Sequence, residues 1–194
     1  MMMQTRRSGD YDLGKLALEV GLAAIQRIDL VNNTADRLFE LVTDTEAPVS
    51  LSVWSAQGPT IIRWERSPRA INTAYSIGSL LPLLSSVTGD VFLAYLPNSV
   101  ATPVVVRESN APMADVMKSI ELITLEVRRQ GYAISRGGFI PGLTGISAPI
   151  LNKQEEAVAA VTILTRTDES EATERTLIRK LLTFAASCSV EALK

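Results

Sequence analysis

The residues able to do chemistry are few, and their neighbours are poorly suited to activate them. Ser85, Ser86 and Thr88 stand together in the run Leu84-Ser85-Ser86-Val87-Thr88-Gly89-Asp90. A hydroxyl becomes a nucleophile only beside a positioned base. The chain contains no histidine, so Asp90 and Lys118 are the only local options. The same hydroxyls are preferred caps for a helix beginning near Ser86, and capping is the reading their types favour. The single cysteine, Cys188, falls on the apolar stripe of the last helix, where a thiol is expected to be buried and inert.

Other candidates resolve in the same way. Glu155-Glu156 falls in a hairpin turn, and Asp168, Glu169 and Glu171 precede a helix N-terminus, where the dipole stabilises acids. Gly137-Gly138-Phe139-Ile140-Pro141-Gly142 lacks the Lys and Ser/Thr of a phosphate loop and precedes a strand, so it reads as a covering loop. Arg6-Arg7 and Arg128-Arg129 are isolated pairs without interleaved aromatics. Absence of histidine also removes the usual general base and the commonest ligand of zinc, iron and copper. The expectation is a protein that is not an enzyme, with no catalytic residue, no metal site and no cofactor.

The elements that must position these residues follow from periodicity. Leu13, Leu16, Ala17, Val20, Ala24 and Ile28 recur at helical spacing, predicting a helix from about Asp12 to Ile28. Asp29 can cap a second helix through Glu46, striped by Ala35, Leu38, Phe39 and Val42 and stopped by Pro48. Val49, Leu51 and Val53 then alternate with Ser50, Ser52 and Trp54, and Ala56-Gln57-Gly58-Pro59 turns the chain into Thr60 to Glu65, a hairpin. Ala70 to Tyr75 reads as a further strand, and the passage from Ile77 to Pro82 as an irregular approach to a helix ending before Pro97. Val104 to Arg107 is a strand candidate.

From Ala111 a helix carries Met113, Val116, Met117, Ile120, Ile123 and Val127 on one face and ends at Gly131. Tyr132 to Ser135 starts a strand, Arg136 to Gly145 a Gly-rich loop. Ile146 to Leu151 and Ala157 to Leu164 form a second hairpin, the latter strand apolar on both faces and hence central. Ser170 to Lys194 closes as an amphipathic helix. The order, helices first and antiparallel hairpins separated by helices, predicts an α+β fold: a curved antiparallel sheet flanked by helices, as in GAF and PAS sensor domains.

The 194 residues are 46% hydrophobic and 21% charged, enough for a substantial core without disulfides or metals. A formal charge of −2 is a poor match to a phosphate backbone, so nucleic-acid binding by these residues is not expected. One thiol makes no internal disulfide, which suits a reducing compartment. The start of the chain has no apolar segment of signal-peptide type, and the longest apolar runs fall short of the ~20 residues that span a bilayer. A cytoplasmic protein with no membrane partner is expected.

Several segments taken in order resemble the effector-binding domain of the IclR family of bacterial transcriptional regulators. Tyr11-Asp12-Leu13-Gly14 with Leu16, Leu18 and Gly21 is similar to the family's linker. Ser67-Pro68-Arg69 and Ile77-Gly78-Ser79-Leu80-Leu81-Pro82-Leu83 resemble the segment ahead of its pocket helix, and Gly89 with Phe92 to Pro97 its continuation. The most specific run is Val127-Arg128-Arg129-Gln130-Gly131-Tyr132-Ala133, followed by Gly142 and Ala148-Pro149-Ile150. Departures are equally clear. The His, Thr and Gly-Lys frequent around the family's pocket helix are absent from Leu84 to Asp90, and Ser135-Arg136-Gly137-Gly138 replaces an acidic cluster. The metal ligands of some members are therefore missing, and Gly145 and Leu164 stand where polar or thiol side chains can occur.

The resemblance implies a tail and linker helix over residues 1–29 and a GAF-like effector-binding domain over 30–194. It implies a pocket between the sheet and the loops, with the backbone amides of Val87 and Thr88 at a helix N-terminus offered to an anion or a carbonyl oxygen. Ala70, Thr73, Leu81, Ser135, Leu143, Gly145, Thr162 and Leu164 would line it. Ordinary sheet or core packing is the competing account of each. Thr162 is the most telling, because a hydroxyl inside an apolar central strand calls for a partner. The implied partners are a small organic acid or aromatic metabolite, further copies of the chain in a dimer or tetramer, and DNA only through an N-terminal winged helix-turn-helix, which these residues do not contain. An association module without a ligand is the rival reading.

Overall fold

In the computed structural model the described residues are 2–4, 11–13, 16, 29–68, 71 and 73–190. Seven strands and five helices occur among them. Met2–Gln4 (β1) pairs antiparallel with Tyr11–Leu13 (β2) as a separate ribbon. Helix α1 spans Asp29–Thr45, and the hairpin β3 (Val49–Ser55) and β4 (Gly58–Glu65) follows. Three helices come next: α2 (Val87–Tyr95), α3 (Asn98–Glu108) and α4 (Met113–Gln130). Strands β5 (Ala133–Arg136), β6 (Leu143–Leu151) and β7 (Ala157–Arg166) lead to α5 (Glu171–Val190).

The main sheet has the order β4-β3-β7-β6-β5 and is antiparallel throughout. The fold is therefore α+β, with β7 at the centre as its two-sided apolar pattern predicts. Gly131 ends α4 in a left-handed conformation, its N–H on the Val127 carbonyl.

The two faces of this sheet carry different residues. One presents Val49, Leu51, Ile146, Ala148, Ile150, Ala159, Val161 and Ile163, which pack with Val31, Leu38, Leu41 and Val42 of α1 and Leu177, Leu181, Phe184 and Cys188 of α5. Arg37 clamps the two helices together: its guanidinium donates to Ser187 Oγ at 3.1 Å and lies 5.5 Å from the centre of the Phe184 ring. Cys188 is 1% exposed, as the apolar stripe predicts. The other face presents Ser50 and Ser52 from β3, Gly145, Ser147 and Pro149 from β6, and Ala160, Thr162 and Leu164 from β7, placed together by the strand register. Against it lie α2 and, beyond α2, parts of α3 and α4, whose Val91, Phe92, Val104, Val105, Ile120 and Val127 build a second core.

Four expectations are corrected. Among the described residues strands, not helices, come first, and the predicted start of a helix at Asp12 falls within β2; Leu16 is helical, and residues 17–28 of the predicted helix lie outside the described residues. Among the described residues of the Ala70–Tyr75 segment none is a strand. There the chain folds on itself: Thr73 Oγ1 donates to the Tyr75 carbonyl and accepts the Tyr75 N–H. Val104 to Arg107 is helical within α3, because burying Ala101, Val104 and Val105 on one face outweighs the strand preference of three consecutive valines. Finally, β6 begins at Leu143, three residues before the predicted start.

Candidate functional site

The approach of α2 to the small-residue face is set by a few contacts. Ser86 is its N-cap: the hydroxyl accepts the Gly89 N–H at 3.0 Å and donates to the Pro82 carbonyl at 2.6 Å. A Cβ on Gly89 would sit 2.1 Å from the Leu83 carbonyl oxygen, so only glycine lets the preceding turn fold this tightly against the helix. Glu108, at the end of α3, holds that turn: its Oε2 accepts the N–H groups of Leu83 (2.7 Å) and Leu84 (3.1 Å). The N–H groups of Val87 and Thr88, in the first turn, engage no partner among the described residues.

Between that first turn, the sheet and two loops lies a cleft of about 360 Å³, counting its mouth. The sheet contributes Ser50 from β3, Thr162 and Leu164 from β7, and Ile61 and Trp64 from β4. The helix contributes Ser86, Val87 and Thr88, and the loops Tyr75, Leu81, Phe139 and Ile140. None of these lining residues carries a charge. The rings of Tyr75 and Phe139 meet at 5.3 Å and join the two loops. Backbone bonds from Ile61 to Ser79 and from Leu81 to Pro59 pin the first loop along the edge of β4.

Thr162 has the partners its buried position demands. Its hydroxyl donates to Ser147 Oγ at 2.9 Å and lies 2.9 Å from Thr88 Oγ1. A hydroxyl has one proton, so Thr88 is the donor to Thr162. The chain Thr88–Thr162–Ser147 thus ties α2 to β7 and β6 and uses up both threonine protons. The Ser86 proton is committed to Pro82. On the helix side of the cleft, the donors left for an incoming group are the backbone amides of Val87 and Thr88. Ser52, on the same face and fully buried, has no partner for its hydroxyl among the described residues. In α2, burial pushes the Asp90 carboxyl up to about 6.

Of the residues singled out from the sequence, Leu81, Val87, Thr88, Thr162 and Leu164 line the cleft. Ser135, Leu143 and Gly145, with Val87 and Leu164 again, line an adjoining pocket of about 270 Å³, again counting its mouth. Thr73 lines neither, since its hydroxyl shapes the loop that carries Tyr75. Ala70 lies outside the described residues. Ser85 and Lys118 are exposed, so no activated hydroxyl is assembled. No group of three or more metal-ligating side chains occurs among the described residues, and none of their helices is long and apolar enough to cross a membrane.

Sequence reasoning missed Ser50, Ile61, Trp64, Tyr75, Ser86, Phe139 and Ile140 as lining residues. For Ile61 and Trp64 the cause is a β-bulge. Ser50 pairs with Trp64 and Ser52 with Ile61, while Leu51 pairs with Arg63, so Ile62 is the extra residue. The bulge puts two residues at odd spacing on one face, which strict alternation forbids. A signal for Phe139 and Ile140 did exist: the Gly-rich loop was expected to cover something, and its two apolar residues are what covers.

Residues 22–190 match the family model described as "Bacterial transcriptional regulator IclR C-terminal". The chain is 28% identical over 166 residues to the "Probable HTH-type transcriptional regulator ArcR" of Halobacterium salinarum, an alignment covering 80% of this chain and 62% of that protein. It thus spans less than two thirds of that relative's length. The crystal structure of HmgR from Pseudomonas aeruginosa superposes with a TM-score of 0.73 at 29% identity, over 98% of this chain and 78% of that one. An IclR-type regulator structure from a Silicibacter species gives a TM-score of 0.83 at 21% identity, over 98% and 77%, a likeness of fold.

Proposed function

Since this chain belongs to the IclR family of bacterial transcriptional regulators, matching its C-terminal regulatory domain, we propose that its cleft binds a small organic acid or aromatic metabolite. The family is one of transcriptional regulators, not enzymes. The observation that carries the proposal is that Val87 and Thr88, whose amides are unengaged among the described residues, line a cleft otherwise walled by aromatic, aliphatic and hydroxyl groups. A helix N-terminus favours a carboxylate or carbonyl oxygen, and the uncharged walls suit an apolar body.

In this reading Ala70, Thr73, Leu81, Val87, Thr88, Ser135, Leu143, Gly145, Thr162 and Leu164 form the binding region, with Ala70 and Thr73 in its supporting loop. Residues 1–29 serve as tail and linker and 30–194 as the effector-binding domain. The protein acts in the cytoplasm as a dimer or tetramer; Leu122 and Leu125, 62% and 63% exposed on α4, supply apolar surface for association. Occupancy of the cleft modulates DNA binding by a helix-turn-helix domain through unequal affinity of the ligand for two arrangements of the assembly.

The test is thermal unfolding against benzoate, phenylacetate and related acids. A binder at a hundredfold excess over its Kd should raise Tm by about 5–10 °C, and the rise should shrink when Val87 and Thr88 are replaced by proline in turn. No rise with any acid contradicts the proposal.

A further inference from the structure

The cleft and its smaller neighbour share four wall residues, Val87, Leu164, Phe139 and Ile140. Two of these come from the rigid part of the site. Val87 descends from the first turn of α2, and Leu164 rises from β7 beside Gly145, its direct partner across the strands. A Cβ at Gly145 would lie 3.0 Å from Val87 Cγ2 and 3.7 Å from Leu164 Cδ2. The two side chains therefore converge over a bare stretch of backbone. Beyond them the smaller pocket continues along the sheet, floored by Gly145 and Ser135, which are also strand partners, and walled by Leu143. Its lining is chemically like that of the cleft: aliphatic and aromatic, with one hydroxyl and no charge.

We propose that Val87 and Leu164 form a partition that sets the length of ligand the site accepts, closing off a side pocket the ligand would otherwise enter. This inference rests on the reading of the cleft as a ligand site. A head group held at the amides of Val87 and Thr88 has its body directed across the cleft, and the partition is the wall it meets on the side nearest the helix. Because the wall is made of two side chains and not of backbone, shortening either one joins two spaces that already exist. Phe139 and Ile140, on the covering loop, roof both spaces and would not need to move.

The experiment is calorimetric titration of the whole chain and of two variants, Leu164→Ala and Val87→Ala, with benzoate, phenylacetate, phenylpropionate and phenylbutyrate. Each added methylene that fits an apolar pocket is worth about tenfold or more in affinity. The wild type is expected to favour a short member and to lose about tenfold or more for phenylbutyrate. Each variant should move the optimum toward the longer acids, gaining about tenfold for phenylbutyrate over the wild type. Circular dichroism checks that each variant is folded, and Val87→Ala, a favourable change in a helix, guards against loss of the Leu164 variant. Either folded variant keeping the wild-type order of preference overturns the partition while leaving the cleft a ligand site. Failure of the wild type to bind any member removes the ligand reading, and the partition with it.

Discussion

The two faces of the central sheet are built from the same strands, yet one is a filled core and the other is partly hollow. Toward α1 and α5 the strands send Val49, Leu51, Ile146, Ile150, Val161 and Ile163, which interdigitate with side chains of those two helices. Toward α2 the same strands send Ser50, Ser52, Gly145, Ser147, Ala160 and Thr162. Small side chains cannot fill the gap beneath a helix whose approach is fixed by the Ser86 cap and the Glu108 clamp. The remaining space is the cleft. Burial of large apolar groups stabilises the fold at one face, and the other face gives up some of that packing to keep a cavity with hydroxyls and amides at its edge.

The contrast yields predictions of decreasing size. Ile163 is fully buried between the sheet and the terminal helices, so Ile163→Ala should cost about 2–5 kcal/mol in urea denaturation, without altering ligand affinity of the folded protein. A cost well under this range would mean that the filled face is not the stabilising one.

Asp90 belongs to the hollow side, and its carboxyl titrates at about 6 against an ordinary 3.8. A folded-state value above the unfolded one means that the carboxyl's stabilising contribution is complete below the ordinary value and is lost as pH rises through about 6. Asp90→Asn should therefore be more stable than wild type at pH ~8 by up to about 3 kcal/mol, and the gain should fade toward pH ~4. Denaturation at both pH values reads this directly; a gain independent of pH would assign it to some other cause.

Thr162→Val keeps the shape and removes the middle of the hydroxyl chain, leaving Thr88 and Ser147 without that partner. A loss of about 1–3 kcal/mol is expected, with α2 loosened at its first turn. Hydrogen exchange should show faster exchange at α2 and no change in α1 or α5.

Much of this contrast was legible in the sequence. The alternation of Val49, Leu51 and Val53 with Ser50, Ser52 and Trp54 states the difference between the faces outright. Ala157 to Leu164, apolar on both sides except at Thr162, marks the central strand and its one polar demand. What could not be read was register and local packing. The extra residue at Ile62 reverses the facing of Ile61, and nothing in the side-chain types of Ile61-Ile62 says which of them is the extra one. Three successive valines in α3 carry a strand's local preference, overruled only by the second core. The loop holding Tyr75 is shaped by a side chain bonding to nearby backbone, which leaves no periodic pattern.

Everything proposed for this domain requires that the cleft receive a ligand at the first turn of α2. The most direct measurement is the shift of backbone amide resonances when phenylacetate, or the acid that most raises Tm, is titrated into the isotopically labelled protein. The largest changes are expected at Val87 and Thr88, smaller ones at Phe139, Ile140 and Leu164, and none at Leu51, Ile163 or Leu181. Changes concentrated in α1 and α5, or spread evenly with Val87 and Thr88 unmoved, would contradict it.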